Sequence, residues 1–151
     1  MSDYSDIISF LPYKDPFHFV NELIELNDNQ VVGRYRIKKN EYYFEGHFPG
    51  DPIVPGAILG EIMAQIGLVC LGLHLSKPEE RAYVMPVFTS MSVDFLSFAK
   101  PDDLLTVYSE KIYFRFGKLK CRVSCKKEND IEVANGSMSG IIINKTDRIE
   151  K

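Results

Sequence analysis

Positive charge is nowhere in excess in this sequence. Lys and Arg number 18 against 21 Asp and Glu, a formal net charge of −3. A nucleic-acid-binding domain calls for a basic footprint, so that class has no electrostatic support. Cysteine is scarce: Cys70, Cys121 and Cys125 are an odd number that cannot all pair within one chain. If Cys121 and Cys125 share a strand, their α-carbons lie roughly 13 Å apart, beyond the ~7 Å that a disulfide tolerates. Reduced, packed thiols are expected, and they suit the cytoplasm. The N-terminus, Met1-Ser2-Asp3-Tyr4-Ser5-Asp6, has neither the basic start nor the apolar run of a signal peptide. Glu61 and Gln65 interrupt the longest apolar stretch, which reads as short of the ~18–20 residues that cross a bilayer. No membrane span is expected, and a cytoplasmic location is. Repeats, low-complexity segments and linkers are also missing. The scattered histidines, with a cysteine pair on one strand face, give no metal-ligand spacing.

What is present is an ordinary globular composition, 45% hydrophobic and 26% charged. The length fits one domain spanning 1–151, with a charged tail from about Thr146. Such a chain buries roughly two-thirds of its unfolded surface, enough for a core without disulfides or metals. The pattern predicts a short helix around Tyr4–Phe10, ending near Leu11-Pro12. A strand follows at about Gln30–Lys38, where Val32, Arg34, Arg36 and Lys38 alternate with Val31, Gly33, Tyr35 and Ile37. The aromatic run 42–52 holds too many Gly and Pro residues for a regular element.

From Pro55 to about Ser76 the chain reads as one helix, opened by a proline and stopped before Pro78. Ile58, Leu59, Ile62, Met63, Ile66, Val69, Cys70 and Leu73 form a broad apolar stripe. The opposite stripe, Ala57, Glu61, Ala64, Leu68 and Gly72, is mostly small or apolar as well, so the helix should be buried. Strands are expected after it at Ala82–Phe88 and Met91–Phe98 (or one bent strand across both), Leu104–Phe116, Leu119–Lys127 and Ile131–Asn144. Lys127-Glu128-Asn129-Asp130 reads as a hairpin turn. One early buried helix followed by mostly antiparallel strands implies an α+β fold, a sheet wrapped around that helix.

Glu61 is the residue in this helix that calls for chemistry. Glu is almost never fully buried without a partner. In an apolar site its ionised form is disfavoured and its pKa rises, which suits it to donating a proton. The alternative is structural, a hydrogen bond to a backbone group or to Gln65 one turn along. His47 stands in the loop leading into the same helix, whereas His18 and His74 have no comparable setting and read as structural. Between His47 and Glu61, the residues Pro49, Gly50, Pro52, Pro55 and Gly56 constrain the backbone tightly. Gly56 falls on the first helical turn, where amides are unpaired and the dipole is positive. Such an end can hold a developing enolate oxygen, and with no side chain at Gly56 an acyl group can approach closely.

The stretch His47-Phe48-Pro49-Gly50-Asp51-Pro52-Ile53-Val54-Pro55-Gly56-Ala57-Ile58-Leu59-Gly60-Glu61-Ile62-Met63-Ala64-Gln65 closely resembles the signature of the beta-hydroxyacyl-[acyl-carrier-protein] dehydratases of bacterial fatty-acid synthesis. In that family the histidine and the acidic helix residue stand fourteen positions apart, as they do here. Glu rather than Asp at position 61 looks like the broad-chain-length branch. Leu11-Pro12-Tyr13-Lys14-Asp15-Pro16-Phe17 is similar to the family's N-terminal Leu-Pro segment. The resemblance implies a hot-dog fold and a homodimer whose active sites each take the histidine from one subunit and the acid from the other. Many members assemble further into trimers of dimers. It also implies that His47 removes the proton alpha to the thioester carbonyl, that the Gly56 amide steadies the enolate-like oxygen, and that Glu61 protonates the departing beta-hydroxyl. Ala57, Val54, Phe48 and Gln65 complete the oxyanion and substrate-binding set. Gln65 either orients Glu61, closes the pocket floor, or is a polar residue at the subunit interface. The acyl group would arrive on acyl carrier protein or coenzyme A, and the implied chemistry requires neither metal nor organic cofactor.

Three features depart from that family pattern. A basic pair usually follows an aromatic in the strand after the helix and helps dock the acidic carrier protein. Here the run is Phe95-Leu96-Ser97-Phe98-Ala99-Lys100-Pro101, with Leu96 and Ser97 in place of the bases. Asn21 replaces a usual acidic residue, and the tunnel-gating tyrosine has no counterpart near Pro86–Phe88. These departures leave His47 and Glu61 intact and bear on the partner and the acyl chain; a specialised pathway such as polyene or pigment synthesis would fit them. The outward row Lys118, Lys120, Arg122 and Lys126 is either a dock for an acidic partner or an ordinary solvated strand face. Two functions stand beside dehydration. One is a hot-dog thioesterase, which would use the helix carboxylate with water and would not need His47. The other is a non-catalytic subunit that binds acyl chains.

Overall fold

The computed structural model describes residues 4–145, so the charged tail expected from about Thr146 lies outside the described residues. A short helix α1 (Ser5–Ser9) is followed by strands β1 (Glu22–Leu26) and β2 (Gln30–Arg36) and the long helix α2 (Gly56–Leu75). Strands β3 (Val84–Phe95), β4 (Leu104–Arg115), β5 (Lys118–Lys127) and β6 (Ile131–Asn144) follow among the described residues. All six strands form one antiparallel sheet in the order β1-β2-β4-β5-β6-β3. The sheet curls around α2, as the pattern of one early helix and many later strands implies.

Strand alternation sets which face meets the helix. On β5, Leu119, Cys121, Val123 and Cys125 are buried while Arg122 is exposed and the lysines are partly so. Leu105, Val107 and Ser109 do the same on β4, and Val31, Gly33 and Tyr35 on β2. In the outward row of β5, Arg122 stands opposite Glu110 in register, and Lys126 Nζ lies 3.0 Å from Asp130 Oδ1. The three cysteines are free and buried, and burial pushes the Cys121 thiol up to about 11 and Cys125 up to about 12.

Helix α2 corrects one expectation. It has 20 residues and is long and apolar enough to cross a bilayer, so its length does not exclude a span. Its surroundings answer the question instead. Ile62, Met63, Ile66, Cys70 and Leu71 are fully buried against the sheet, and 78% of its most apolar window is enclosed. It is the core helix of the fold.

The middle of α2, Gln65–Cys70, is π-helical. Such a segment misaligns part of the backbone ladder, and a side chain from the sheet repairs it: Ser109 Oγ donates to Gly67 O at 2.8 Å. A helix that is apolar on every side has no phase for an inserted residue to disturb, so the sequence gives no sign of this irregularity.

Strand β1 was not expected. Its burial runs exposed, buried, exposed, exposed, buried, with a register shift between Leu23 and Glu25, so the period-two signal is broken. The two candidate strands after the helix are one strand, β3, bulged between Phe88 and Ser90. It starts at Val84 because Pro78–Tyr83 forms a 3-10 turn first. Asn129 and Asp130, both at positive φ, turn β5 into β6 where the hairpin was expected.

Strands β3 and β6 approach closely at Gly136, which pairs with Val93. A Cβ there would stand 2.0 Å from Ser92 O, a backbone atom that cannot swing away. Gly136→Ala is expected to destabilise the fold by about 1–3 kcal/mol through overpacking, read as a lower urea midpoint. An unchanged midpoint would show that the two strands part without cost.

Candidate active site

Residues 47–53 form a small loop closed on itself. Ile53 N donates to His47 O (3.1 Å), and His47 N donates to Tyr43 O (3.1 Å). Within the loop, Phe48 N donates to Asp51 O (3.0 Å) and Asp51 N to Phe48 O (2.8 Å). Gly50 takes φ +74°, a left-handed conformation that costs glycine little. His47 Nδ1 lies 2.9 Å from Ile53 O. A carbonyl oxygen can only accept, so Nδ1 carries the hydrogen and Nε2 keeps its lone pair. The imidazole is half-buried and stacks on the Phe48 ring, centroids 4.0 Å apart. No residue type in the sequence announces that tautomer; a backbone carbonyl six residues on sets it.

The loop leaves through Val54, whose side chain is buried and whose N–H donates to Ala99 O at 2.9 Å. Pro55 then caps α2. The first helical amides, those of Gly56 and Ala57, have no acceptor within the helix and form its positive end. Val54's own amide is engaged, so the donors at this end are Gly56 and Ala57. The Phe95 ring lies 3.4 Å from where a Cβ on Gly56 would sit, and Ala57 is exposed.

Glu61 follows five residues into the helix and is half-buried. Desolvation raises its pKa above the ordinary carboxylate value, and a hydrogen bond from Gln65 opposes that shift. Gln65 is 0% exposed. Its Nε2 donates to Glu61 Oε2 (2.9 Å) and to Phe17 O (3.1 Å), while its Oε1 accepts from Phe19 N (2.8 Å). The catalytic and structural readings of Glu61 are therefore not exclusive: the carboxyl is held by Gln65 and still faces open space. Gln65 thus links the Glu61 carboxyl to the N-terminal segment from a fully enclosed position.

That open space is an apolar cavity of about 240 Å³. Glu61, Ala64 and Leu68 face it from α2, Val87 and Phe88 from β3, and Ile141 from β6. Glu61, Ala64 and Leu68 of one stripe thus face the cavity together with Val69 and Leu73 at the edge of the broader one, while Ile62, Met63, Ile66 and Cys70 are buried in the core. Phe88 stands in the wall where no tyrosine gate could be found in the sequence. Tyr13 and Phe17 also line the cavity. Sequence reading placed them only in a Leu-Pro motif, because nothing local shows that this segment folds over a helix some fifty residues later. His47 and Phe48 are not among the lining residues. Within one chain, then, Glu61 faces the cavity with Gln65 buried behind it, while His47, Phe48, Gly56 and Ala57 sit at the loop and helix start.

A family model described as a FabA-like domain matches residues 11–130. A 3-hydroxyacyl-[acyl-carrier-protein] dehydratase FabZ from Caldicellulosiruptor saccharolyticus is 36% identical over 124 residues, covering 80% of this chain and 86% of the relative. The chain belongs to the FabA-like 3-hydroxyacyl-[acyl-carrier-protein] dehydratase family. A second FabZ, from Herpetosiphon aurantiacus, is 32% identical over 148 residues, 94% of this chain and 99% of its own.

Solved structures show the fold. The dehydratase heterocomplex ApeI:P of Xenorhabdus doucetiae aligns with TM-score 0.78 at 17% identity, over 95% of both chains. The fluoroacetyl-CoA thioesterase FlK aligns with TM-score 0.67 at 14% identity, over 84% of this chain and 93% of its own. The hot-dog fold is thus common to dehydratases and thioesterases, and the fold alone does not choose between them. Among the dehydratase-family departures, Asn21 has a structural job: its Oδ1 accepts from Arg36 N (2.7 Å) and its N–H donates to Arg34 O (2.9 Å).

The raised pKa of Glu61 has a thermodynamic consequence. A carboxyl whose folded pKa exceeds its unfolded value contributes stability that is full below the unfolded value, about 4.3. That contribution is lost as pH rises through the folded value. Glu61→Gln removes the titration, so its urea midpoint relative to wild type is expected to be higher at pH 8 than at pH 4. An identical difference at both pH values would mean that Glu61 titrates in the fold as it does in water.

Proposed function

We propose that this protein dehydrates a (3R)-hydroxyacyl thioester, carried on acyl carrier protein, to the trans-2-enoyl thioester, using His47 as base and Glu61 as acid. The observation that carries this reading is the pairing of opposite preparations in one motif. His47 is held as the tautomer with Nε2 free to accept a proton, and Glu61 is a carboxyl whose neutral form burial favours. The Nε2 lone pair takes the C2 proton, and the C–H electrons form the C2=C3 bond as the C3–O bond breaks. The departing oxygen takes the proton of Glu61 and leaves as water. The Gly56 amide, with Ala57 beside it, steadies negative charge on the thioester oxygen. Membership in the dehydratase family makes the chain a hydro-lyase, and the need for His47 separates this reading from thioester hydrolysis.

The site is shared between two copies of the chain in this proposal, and the protein works in the cytoplasm. Two observations support the sharing. His47 does not line the cavity that holds Glu61 in its own chain, and the edge strand β3 exposes Val87, Phe88, Met91 and Phe95, which a second copy would cover. Assembly into a trimer of dimers, coenzyme A as an alternative carrier and a specialised polyene or pigment pathway belong to the same reading. Leu96 is exposed and Ser97 Oγ donates to Glu132 O (2.8 Å) where the basic pair usually stands, which favours a carrier protein of the pathway's own.

Purified protein with a 3-hydroxyacyl carrier protein is expected to generate the conjugated absorbance of the enoyl thioester. His47→Ala and Glu61→Gln should each lose about 10²–10⁴-fold in rate. Mixing the two inactive variants should restore a fraction of the activity, since a mixed dimer regains one intact site. Release of free thiol without enoyl product would point to thioesterase chemistry instead. Variants as fast as wild type would overturn the site assignment.

A further inference from the structure

The channel beside Glu61 holds one polar side chain that the mechanism leaves unused. Tyr13 lines the same cavity, in walls otherwise built largely from Leu, Val, Ile and Phe. Its ring packs against Phe17, centroids 6.3 Å apart. Phe17 is fixed in turn, because its carbonyl accepts from Gln65 Nε2 at 3.1 Å, and Phe19 N donates to Gln65 Oε1 at 2.8 Å. The same amide donates to Glu61 at 2.9 Å. Phenol and carboxyl are therefore held in one frame, through a side chain with no exposed surface. The Tyr13 hydroxyl has no hydrogen-bond partner among the described residues. Burial and the nearby Glu61 raise its pKa, so it stays protonated and able to donate.

A 3-hydroxyl entering this channel brings one O–H donor and two acceptor lone pairs. Protonated Glu61 can serve one lone pair. The remaining valences face an apolar wall, where an unmet polar group is costly.

We propose that Tyr13 is a substrate-contacting residue of this site, whose phenol hydrogen-bonds the 3-hydroxyl of the acyl group opposite Glu61 and holds the water that this hydroxyl becomes. The inference rests on the dehydratase reading, because it assigns the bound hydroxyl to that substrate. Tyr13 selects for a hydroxylated acyl chain and contributes little to binding of a chain without the hydroxyl. It donates its hydrogen bond in both the bound substrate and the transition state, so its effect falls on affinity.

The test is a binding measurement in the His47→Ala background, where turnover does not interfere. The probes are the N-acetylcysteamine thioesters of (3R)-hydroxydecanoate and of decanoate, titrated into His47→Ala and His47→Ala/Tyr13→Phe protein. Tyr13→Phe keeps the ring that packs on Phe17, and a matching thermal midpoint confirms folding. The double variant is expected to lose about 2–10-fold in affinity for the hydroxylated thioester, the value of one hydrogen bond. Its affinity for the saturated thioester should stay unchanged. Equal weakening for both probes would make Tyr13 a mere shaper of the channel and overturn the proposal, as would no change for either. Turnover by the wild-type protein is scored separately, so failure of the dehydratase reading shows as absent enoyl product whatever the binding ratio.

Discussion

A primary amide sealed inside an apolar core must find partners for its donors and its acceptor, or lose free energy for each one left unmet. Gln65 finds three: the carboxyl of Glu61, the carbonyl of Phe17 and the amide of Phe19. Two of these lie almost fifty residues upstream. Gln65 hydrogen-bonds the N-terminal segment, which also buries Ile7, Leu11, Phe19 and Val20 in the core and places Tyr13 and Phe17 in the cavity wall. The same residue opens the π-helical stretch, whose freed Gly67 carbonyl is taken up by Ser109 from β4. The acid, the cavity and the irregular core of the helix thus share one anchoring point.

The two reactive groups are prepared by different physics. For His47 the preparation is local and geometric, a loop that returns the carbonyl six residues on to Nδ1 and so fixes which nitrogen of the neutral ring is bare. For Glu61 it is environmental, since an apolar channel makes ionisation expensive while Gln65 limits how far the carboxyl can turn. In the proposed elimination across adjacent carbons, the base needs a lone pair and the acid a proton to give. The helix start between them adds unpaired amides where charge would develop. None of these three provisions depends on a bound ion.

The surface carries a more individual pattern than the site does. On β5, Arg122 stands opposite Glu110 and Lys126 pairs with Asp130, contacts between exposed charges that contribute little to stability. The turn after β3 presents Leu96 and Phe98 to solvent, with Lys127 Nζ donating to Phe98 O at 2.7 Å. A partner docking here would meet apolar side chains rimmed by Lys127 and Lys100, a mixed surface on which shape and charge both discriminate.

Much of this molecule could be read from residue order alone. The period of two in β2, β4 and β5, the proline-bounded apolar helix, and the spacing of His47 and Glu61 are local signals, each produced by the geometry of a single element. From them followed the α+β arrangement, the buried helix and the motif at its start. Strand β1 escaped because a bulge breaks its alternation, and the π-helical turn because a helix apolar on all sides has no phase to lose. Tyr13 escaped for a deeper reason. Its segment is tied to the helix where Phe17 and Phe19 hydrogen-bond Gln65, and no local pattern records a contact between segments so far apart in the chain. The tautomer of His47, the division of α2 into core face and cavity face, and the separation of His47 from Glu61 within one chain were decided only when the sheet closed around the helix. The sequence by itself determined the elements and the reactive residue types, because those are properties of short stretches. The tertiary structure decided which faces meet and which protons are held, because burial and partner choice exist only once distant segments pack.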